Sequence, residues 1–161
     1  MTILVDTREK QGKNDHILTY FDKKGISWER RKLNAGDYAP LIRNSPEYGI
    51  MEDIDLSSEI IVERKANLEE ISRNITIDKS RIKREFSRAP QNKILLIENS
   101  SYSKLVDGDY NTGFAPKAFW ASLFSMWHQY GIPVIFLEDK KYTGQFIYGY
   151  FYYYARGLFK C

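Results

Sequence analysis

Three consecutive β-branched residues, Ile60, Ile61 and Val62, run directly into Glu63, Arg64 and Lys65. The first half has the composition of a buried strand, and the second half carries three charges that a sheet interior tolerates only with partners or a metal. Alternation along a strand puts Glu63 and Lys65 on one face and Val62 with Arg64 on the other. This run therefore predicts a central strand whose end opens onto a polar site. Any metal there would be held by oxygens: the single cysteine, Cys161, is the last residue, and His16 and His128 lack metal-ligand spacing.

The 161 residues suit a single domain spanning 1–161 with a core that needs no disulfides. Thr2–Val5 is too short for the apolar region of a signal peptide, and no apolar run approaches the roughly 20 residues of a membrane helix. The expectation is a soluble, cytoplasmic protein with no membrane partner, of bacterial, phage or mobile-element origin. A net charge of +3 says little by itself, but lysines and arginines gather between Lys10 and Lys32 and again between Arg64 and Lys93, whereas Glu47 to Asp55 is acidic.

Taken in order, Thr2 to Val5 reads as a strand delivering Asp6 at its tip. Asp15 is placed to cap a helix from His16 to Lys24, stopped by Gly25. An alternating stretch follows from Ile26 to Leu33, then Gly36-Asp37-Tyr38 and a second extended piece to Ile42. Residues 43–58 lack periodicity and read as a hairpin insert. Beyond the 58–65 strand, Asn67 can cap a helix to about Asn74. A second helix from about Asp78 to Ala89 carries a basic stripe of Arg81, Arg84 and Arg88. Lys93 to Glu98 is a further buried strand, 99–114 a polar loop, 115–130 an apolar helix and 132–137 a strand whose proline suits an early or edge position. A tyrosine-crowded helix from about Tyr142 to Phe159 closes the chain. This order predicts an α/β fold, a mixed central sheet flanked by helices on both faces, with ligands at the strand ends where Asp6, Asp37 and Glu63 to Lys65 lie. Carboxylates converging with a lysine suit a hard cation of the Mg2+ or Mn2+ type, and that combination points to phosphate chemistry.

At three places in the correct order, Val5-Asp6-Thr7-Arg8-Glu9, Gly36-Asp37-Tyr38 and Val62-Glu63-Arg64-Lys65, the chain resembles the XPF-type nuclease domains, a branch of the PD-(D/E)XK restriction-endonuclease-like superfamily. The resemblance continues through the basic helix with Arg81 and Glu85 and into the 119–137 region. It implies a restriction-endonuclease-like fold and a Mg2+- or Mn2+-dependent DNA endonuclease, a hydrolase of phosphodiester bonds in branched, flapped or otherwise structured DNA, of the kind used in DNA repair and recombination. It implies that Asp37 and Glu63 bind the metal with Asp6 and Glu9 completing the acidic cluster, and that Lys65 assists the attacking water. Arg8 and Arg64 would hold phosphate or orient the carboxylates, with Arg81, Arg84 and Arg88 as further DNA contacts.

Two departures stand out. Glu69 replaces the aspartate usual four residues after the lysine, and the long insert between Asp37 and Glu63 would add a flap over the substrate. The paired helix-hairpin-helix module that often follows such domains is not in these residues. Tyr148, Tyr150, Tyr152, Tyr153 and Tyr154 decorate every side of the last helix, which fits a homodimer or heterodimer through the aromatic C-terminal region. The partner is DNA, with no small-molecule substrate. The rival readings are a non-catalytic DNA-binding or dimerisation subunit with a nuclease fold, and a sequence-specific restriction-type endonuclease.

Overall fold

The computed structural model describes residues 1–159; Cys161 lies outside the described residues. Its strands are β1 (Thr2–Val5), β2 (Trp28–Arg30), β3 (Tyr38–Ile42), β4 (Ile54–Asp55), β5 (Ile60–Lys65), β6 (Asn92–Glu98) and β7 (Val134–Leu137). The helices are α1 (Asp15–Lys23), α2 (Leu68–Thr76), α3 (Lys79–Arg88), α4 (Tyr102–Asp107), α5 (Pro116–Tyr130) and α6 (Thr143–Leu158). The sheet runs β2-β1-β3-β5-β6-β7, with β4 paired to β3. The mixed sheet foreseen from the element order is present, and its one reversal is informative. β3 is antiparallel to both β1 and β5, whereas β1 with β2 and β5 with β6 and β7 are parallel. The carboxyl ends of β1, β5 and β6 therefore gather around the amino end of β3. This brings Asp6, Glu63 and Glu98 to the same rim as Asp37.

Alternation along the strands divides the core. Ile3, Val5, Tyr38, Ile60, Val62, Ile94 and Leu96 face Ile17 and Phe21 of α1 and Ile147, Phe151 and Ala155 of α6. On the opposite face Leu95 and Ile97 meet Leu68 and Ile71 of α2, Ile82 and Phe86 of α3, Leu105 of α4 and Phe119 and Leu123 of α5. β5 and β6 are covered on both sides, which is why they read as continuous apolar runs. β7 is an edge strand, as β2 is at the other end, in keeping with Pro133 beside it.

Several local expectations change. The alternating stretch after Gly25 contributes only three strand residues, Trp28–Arg30. Asn14, not Asp15, stands at the start of α1, and Asp15 lies in its first turn. The polar segment after Glu98 contains α4, which Ser101 caps through its hydroxyl and Gly108 ends in a left-handed conformation. Asn67 does cap α2, accepting from Glu70 N at 2.9 Å.

The 43–58 insert is a hairpin, but it cannot be a flap over the rim. It leaves from the carboxyl end of β3 and returns through β4 to the amino end of β5. That is the end of the sheet remote from Asp37, about 17 Å away for a five-residue strand. Among the described residues no helix is long and apolar enough to cross a membrane. α6 buries Ile147, Phe151 and Ala155 and leaves Tyr152 and Tyr153 exposed. Tyr148, Tyr150 and Tyr154 are partly buried against the core, so the tyrosines are less uniformly outward than their crowding suggests. A second apolar surface lies at the β7 edge of the sheet, where exposed Tyr102 and Phe124 border a groove lined by Trp127 and Phe136.

Candidate active site

The rim carries a cleft of ≈ 260 Å³ lined by Glu9, Asp37, Glu63 and Lys65, with Lys10, Lys13, Asn34, Glu70, Arg81 and Glu85 around them. The backbone stitches the three sequence motifs together. Asp6 N donates to Asp37 O at 2.8 Å, Asp37 N donates to Val62 O at 2.9 Å, and Arg64 N donates to the Asp37 carboxylate at 2.7 Å. Asp37 is thus fixed between β1 and β5 before any ligand arrives.

Gly36 makes the approach possible. Its φ is +74°, and a Cβ there would stand 2.7 Å from Ile61 Cδ1. Gly36→Ala is expected to cost about 2–4 kcal/mol from left-handed strain plus overpacking, lowering the melting temperature by about 5–15 °C; a thermal melt within about 2 °C of the parent would contradict this.

Glu63 and Lys65 emerge on one face, as alternation requires, and Lys65 Nζ donates to Glu63 Oε1 at 2.7 Å. Burial alone would lower the ammonium's proton affinity, but Glu63 and Asp37 outweigh it, so Lys65 stays firmly protonated. Asp37 moves the other way from an ordinary carboxyl. Burial raises its pKa most and the neighbouring Glu63 raises it further, against the opposing pull of Lys65, leaving it well above the usual range. Two carboxylates crowded in this way repel each other, and a bound cation relieves the repulsion.

Other predicted residues take different places. Asp6 is 1% exposed and does not line the cleft. Its carboxylate is occupied by Arg8, whose backbone N donates to Oδ1 at 2.9 Å and whose guanidinium grips both oxygens. Arg8 therefore orients an acid, and its remaining exposed surface faces the cleft.

Arg64 is on the rear face of the sheet with its side chain 3% exposed, donating to Glu98 Oε2 at 2.7 Å and Glu9 Oε1 at 3.2 Å. The guanidinium is engaged by Glu9 and Glu98, which matches the expected support of the carboxylates, and Arg64 also borders the cleft. Glu69 accepts from Asn111 N at 2.8 Å, away from the cleft. Its neighbour Glu70 lines the cleft and accepts from Ala66 N at 2.8 Å, closing the start of α2.

Arg81 reaches the cleft, paired to Asp78 at 3.1 Å and near Glu85 at 3.9 Å. Arg84 and Arg88 are exposed but lie outside the cleft lining. Sequence reasoning did not single out Lys10 and Lys13, which flank the cleft, or Glu98 and His16, which meet behind it. Lys10 and Lys13 stood within the basic stretch already noted. Glu98 had the same signature as Glu63, an acid closing an apolar strand.

The donor set fits a hard divalent cation in one respect: Asp37 and Glu63 both supply carboxylate oxygens to the same cleft, where burial and their mutual repulsion raise the pKa of Asp37. It is not a closed cage, since among the described residues no three His, Cys, Asp or Glu side chains converge as a metal-holding group. Mg2+ commonly binds through one or two carboxylates and keeps several waters, so a pair suffices.

Comparison with known proteins agrees with this layout. The family model described as "ERCC4 domain" matches residues 5–150. No match was found among curated proteins. Among solved structures, XPF from Aeropyrum pernix superposes with a TM-score of 0.68 at 19% identity, covering 97% of this chain and 62% of that one. XPF from Aeropyrum pernix in complex with DNA gives 0.67 at 19% identity, covering 97% of this chain and 66% of that one. At such identity the likeness concerns the fold, and this chain spans less than two thirds of either relative.

Proposed function

Because the chain belongs to the ERCC4 domain family, we propose that the cleft is the hydrolytic centre of a divalent-metal-dependent DNA endonuclease acting on branched, flapped or otherwise structured DNA. The observation that carries this reading is the juxtaposition of Asp37, Glu63 and Lys65 in one cleft with a basic border. Asp37 and Glu63 would hold Mg2+ or Mn2+, and such a cation, when bound, polarises the phosphodiester and lowers the pKa of water. Lys65, firmly protonated, orients the attacking water and offsets charge on the phosphate rather than accepting a proton. Lys10, Lys13 and Arg81 supply positive charge along the path of the DNA strand. Glu9 lines the cleft beside this pair while accepting from Arg64, and Asp6 acts only by fixing Arg8.

The family likeness and the similarity to a DNA-bound XPF support DNA as the ligand. The intact triad favours catalysis over a non-catalytic subunit. Dimerisation belongs to the same reading, with exposed Tyr152 and Tyr153 of α6 as the contact surface. The test is incubation of the purified protein with labelled flap, fork, junction and plain duplex DNA, with Mg2+ or Mn2+ and with chelator. Cleavage of a branched substrate that stops on chelation is expected. Clean protein that cuts none of them in either metal would refute the proposal, and cutting of duplex at fixed short sequences would instead favour a restriction-type enzyme.

A further inference from the structure

Behind the cleft, on the α1 and α6 side of the sheet, lies a carboxylate that the proposed chemistry does not touch. Glu98 ends β6, is 1% exposed, and has both oxygens engaged. Oε1 accepts from His16 Nε2 of α1 at 2.6 Å and from Thr143 Oγ1 of α6 at 2.6 Å, and Oε2 accepts from Arg64 Nη1 at 2.7 Å. Burial pushes its pKa up, but the bonds from His16 and Thr143 and the charge of Arg64 outweigh burial and hold it below the usual range. An ionised carboxylate is expensive to desolvate, and an apolar residue would pack such a position more cheaply. The ion is therefore explained by what it holds.

What it holds is Arg64, which stands between the two sides of the sheet. Its Nη1 points to Glu98, its Nη2 reaches Glu9 at 3.2 Å, and its backbone N–H donates to Asp37. Without an anion on the rear side, the same guanidinium would be drawn wholly toward Glu9, Asp37 and their neighbours. It would then neutralise the oxygens a cation needs.

We infer that Glu98, fixed by His16 and Thr143, is a positioning residue that draws the charge of Arg64 to the rear of the sheet and so sets the affinity of the cleft for a divalent cation. The inference rests on the reading of the cleft as a cation site and concerns a residue that touches neither substrate nor cation. Its closest analogue is the outer partner of a metal ligand, whose loss weakens metal affinity or activity by about 10–100-fold.

The test is calorimetric titration of Mn2+ into the full chain, the Glu98→Gln variant and the Thr143→Val variant. Glu98→Gln is expected to weaken Mn2+ binding by about 10-fold or more, and Thr143→Val, which removes one hydrogen bond and no charge, by less in the same direction. In cleavage assays, turnover of Glu98→Gln should fall at low Mn2+ and recover as Mn2+ is raised, with KM for DNA unchanged. A merely structural role would not produce that recovery.

Wild-type Mn2+ affinity in Glu98→Gln, or a loss of turnover that added Mn2+ does not repair, would overturn the inference. Should Glu98→Gln fail to fold, unchanged affinity in Thr143→Val decides against it. The parent reading fails separately: a wild-type chain that binds no Mn2+ removes both claims, whereas one that binds Mn2+ but cuts no DNA leaves the calorimetric comparison valid.

Discussion

Asp37→Asn should abolish metal-supported cleavage, by on the order of 10³-fold, while making the metal-free protein more stable than its parent. The two effects share one cause. Asp37 is an acid whose folded-state pKa is raised by burial and by Glu63, so the folded chain binds a proton more readily than the unfolded chain does. Its contribution to stability is greatest below the unfolded value near about 4 and is lost as pH climbs through the raised folded value.

At pH values above the usual carboxylate range, forming the charge on Asp37 therefore costs the metal-free folded chain stability. Asparagine removes the charge and keeps an oxygen to accept from Arg64 N. A gain of about 1 kcal/mol, or about 2–4 °C in melting temperature, is expected without metal. Added Mg2+ or Mn2+ should raise the melting temperature of the parent and leave the variant where it was. An Asp37→Asn protein that cuts at the parental rate, or melts lower than the parent in chelator, would contradict the assignment.

The second large effect belongs to Lys65. Its ammonium and the Glu63 carboxylate are 10% and 11% exposed and 2.7 Å apart. Lys65→Met leaves Glu63 without its partner in a poorly solvated place, which costs about 3 kcal/mol and about 6–12 °C in melting temperature. Turnover should fall by about 10²–10⁴-fold, because the variant loses the group that orients water and offsets phosphate charge. The double variant Glu63→Gln with Lys65→Met isolates the stability loss, since Glu63 is itself a proposed metal ligand and its loss removes turnover in any case. A neutral amide beside a thioether no longer demands a counter-ion, so most of the stability should return while turnover does not. Parental turnover in Lys65→Met alone would mean that Lys65 serves the fold and not the chemistry.

The sequence made the site's ingredients legible more readily than their arrangement. β5 and β6 announced themselves because strands buried on both faces are apolar without interruption, and α2 and α3 because their buried residues recur at helical spacing. α4 did not, since a six-residue helix with one buried side chain, Leu105, has no period to detect. The alternation rule placed Arg64 opposite Glu63 correctly, yet it said nothing of Glu98, 34 residues on, which pairs with Arg64, or of His16, which bonds to Glu98. The place of Asp6 at a strand tip, with the family resemblance, points to it as a cleft acid. That Arg8, two residues on, would take its carboxylate is a choice of side-chain packing that spacing cannot express. The insert was misplaced for a different reason: a hydrophobic pattern is the same read in either direction, and only the antiparallel pairing of β3 sends residues 43–58 to the far end.

That reversal has a practical side. The hairpin around Tyr48 and Met51 is a solvent-exposed handle, acidic rather than basic, on the pole of the molecule opposite the cleft. A fluorophore, an affinity tag or a surface tether fixed there would hold the protein with its cleft turned outward, free to meet a substrate as bulky as a DNA junction.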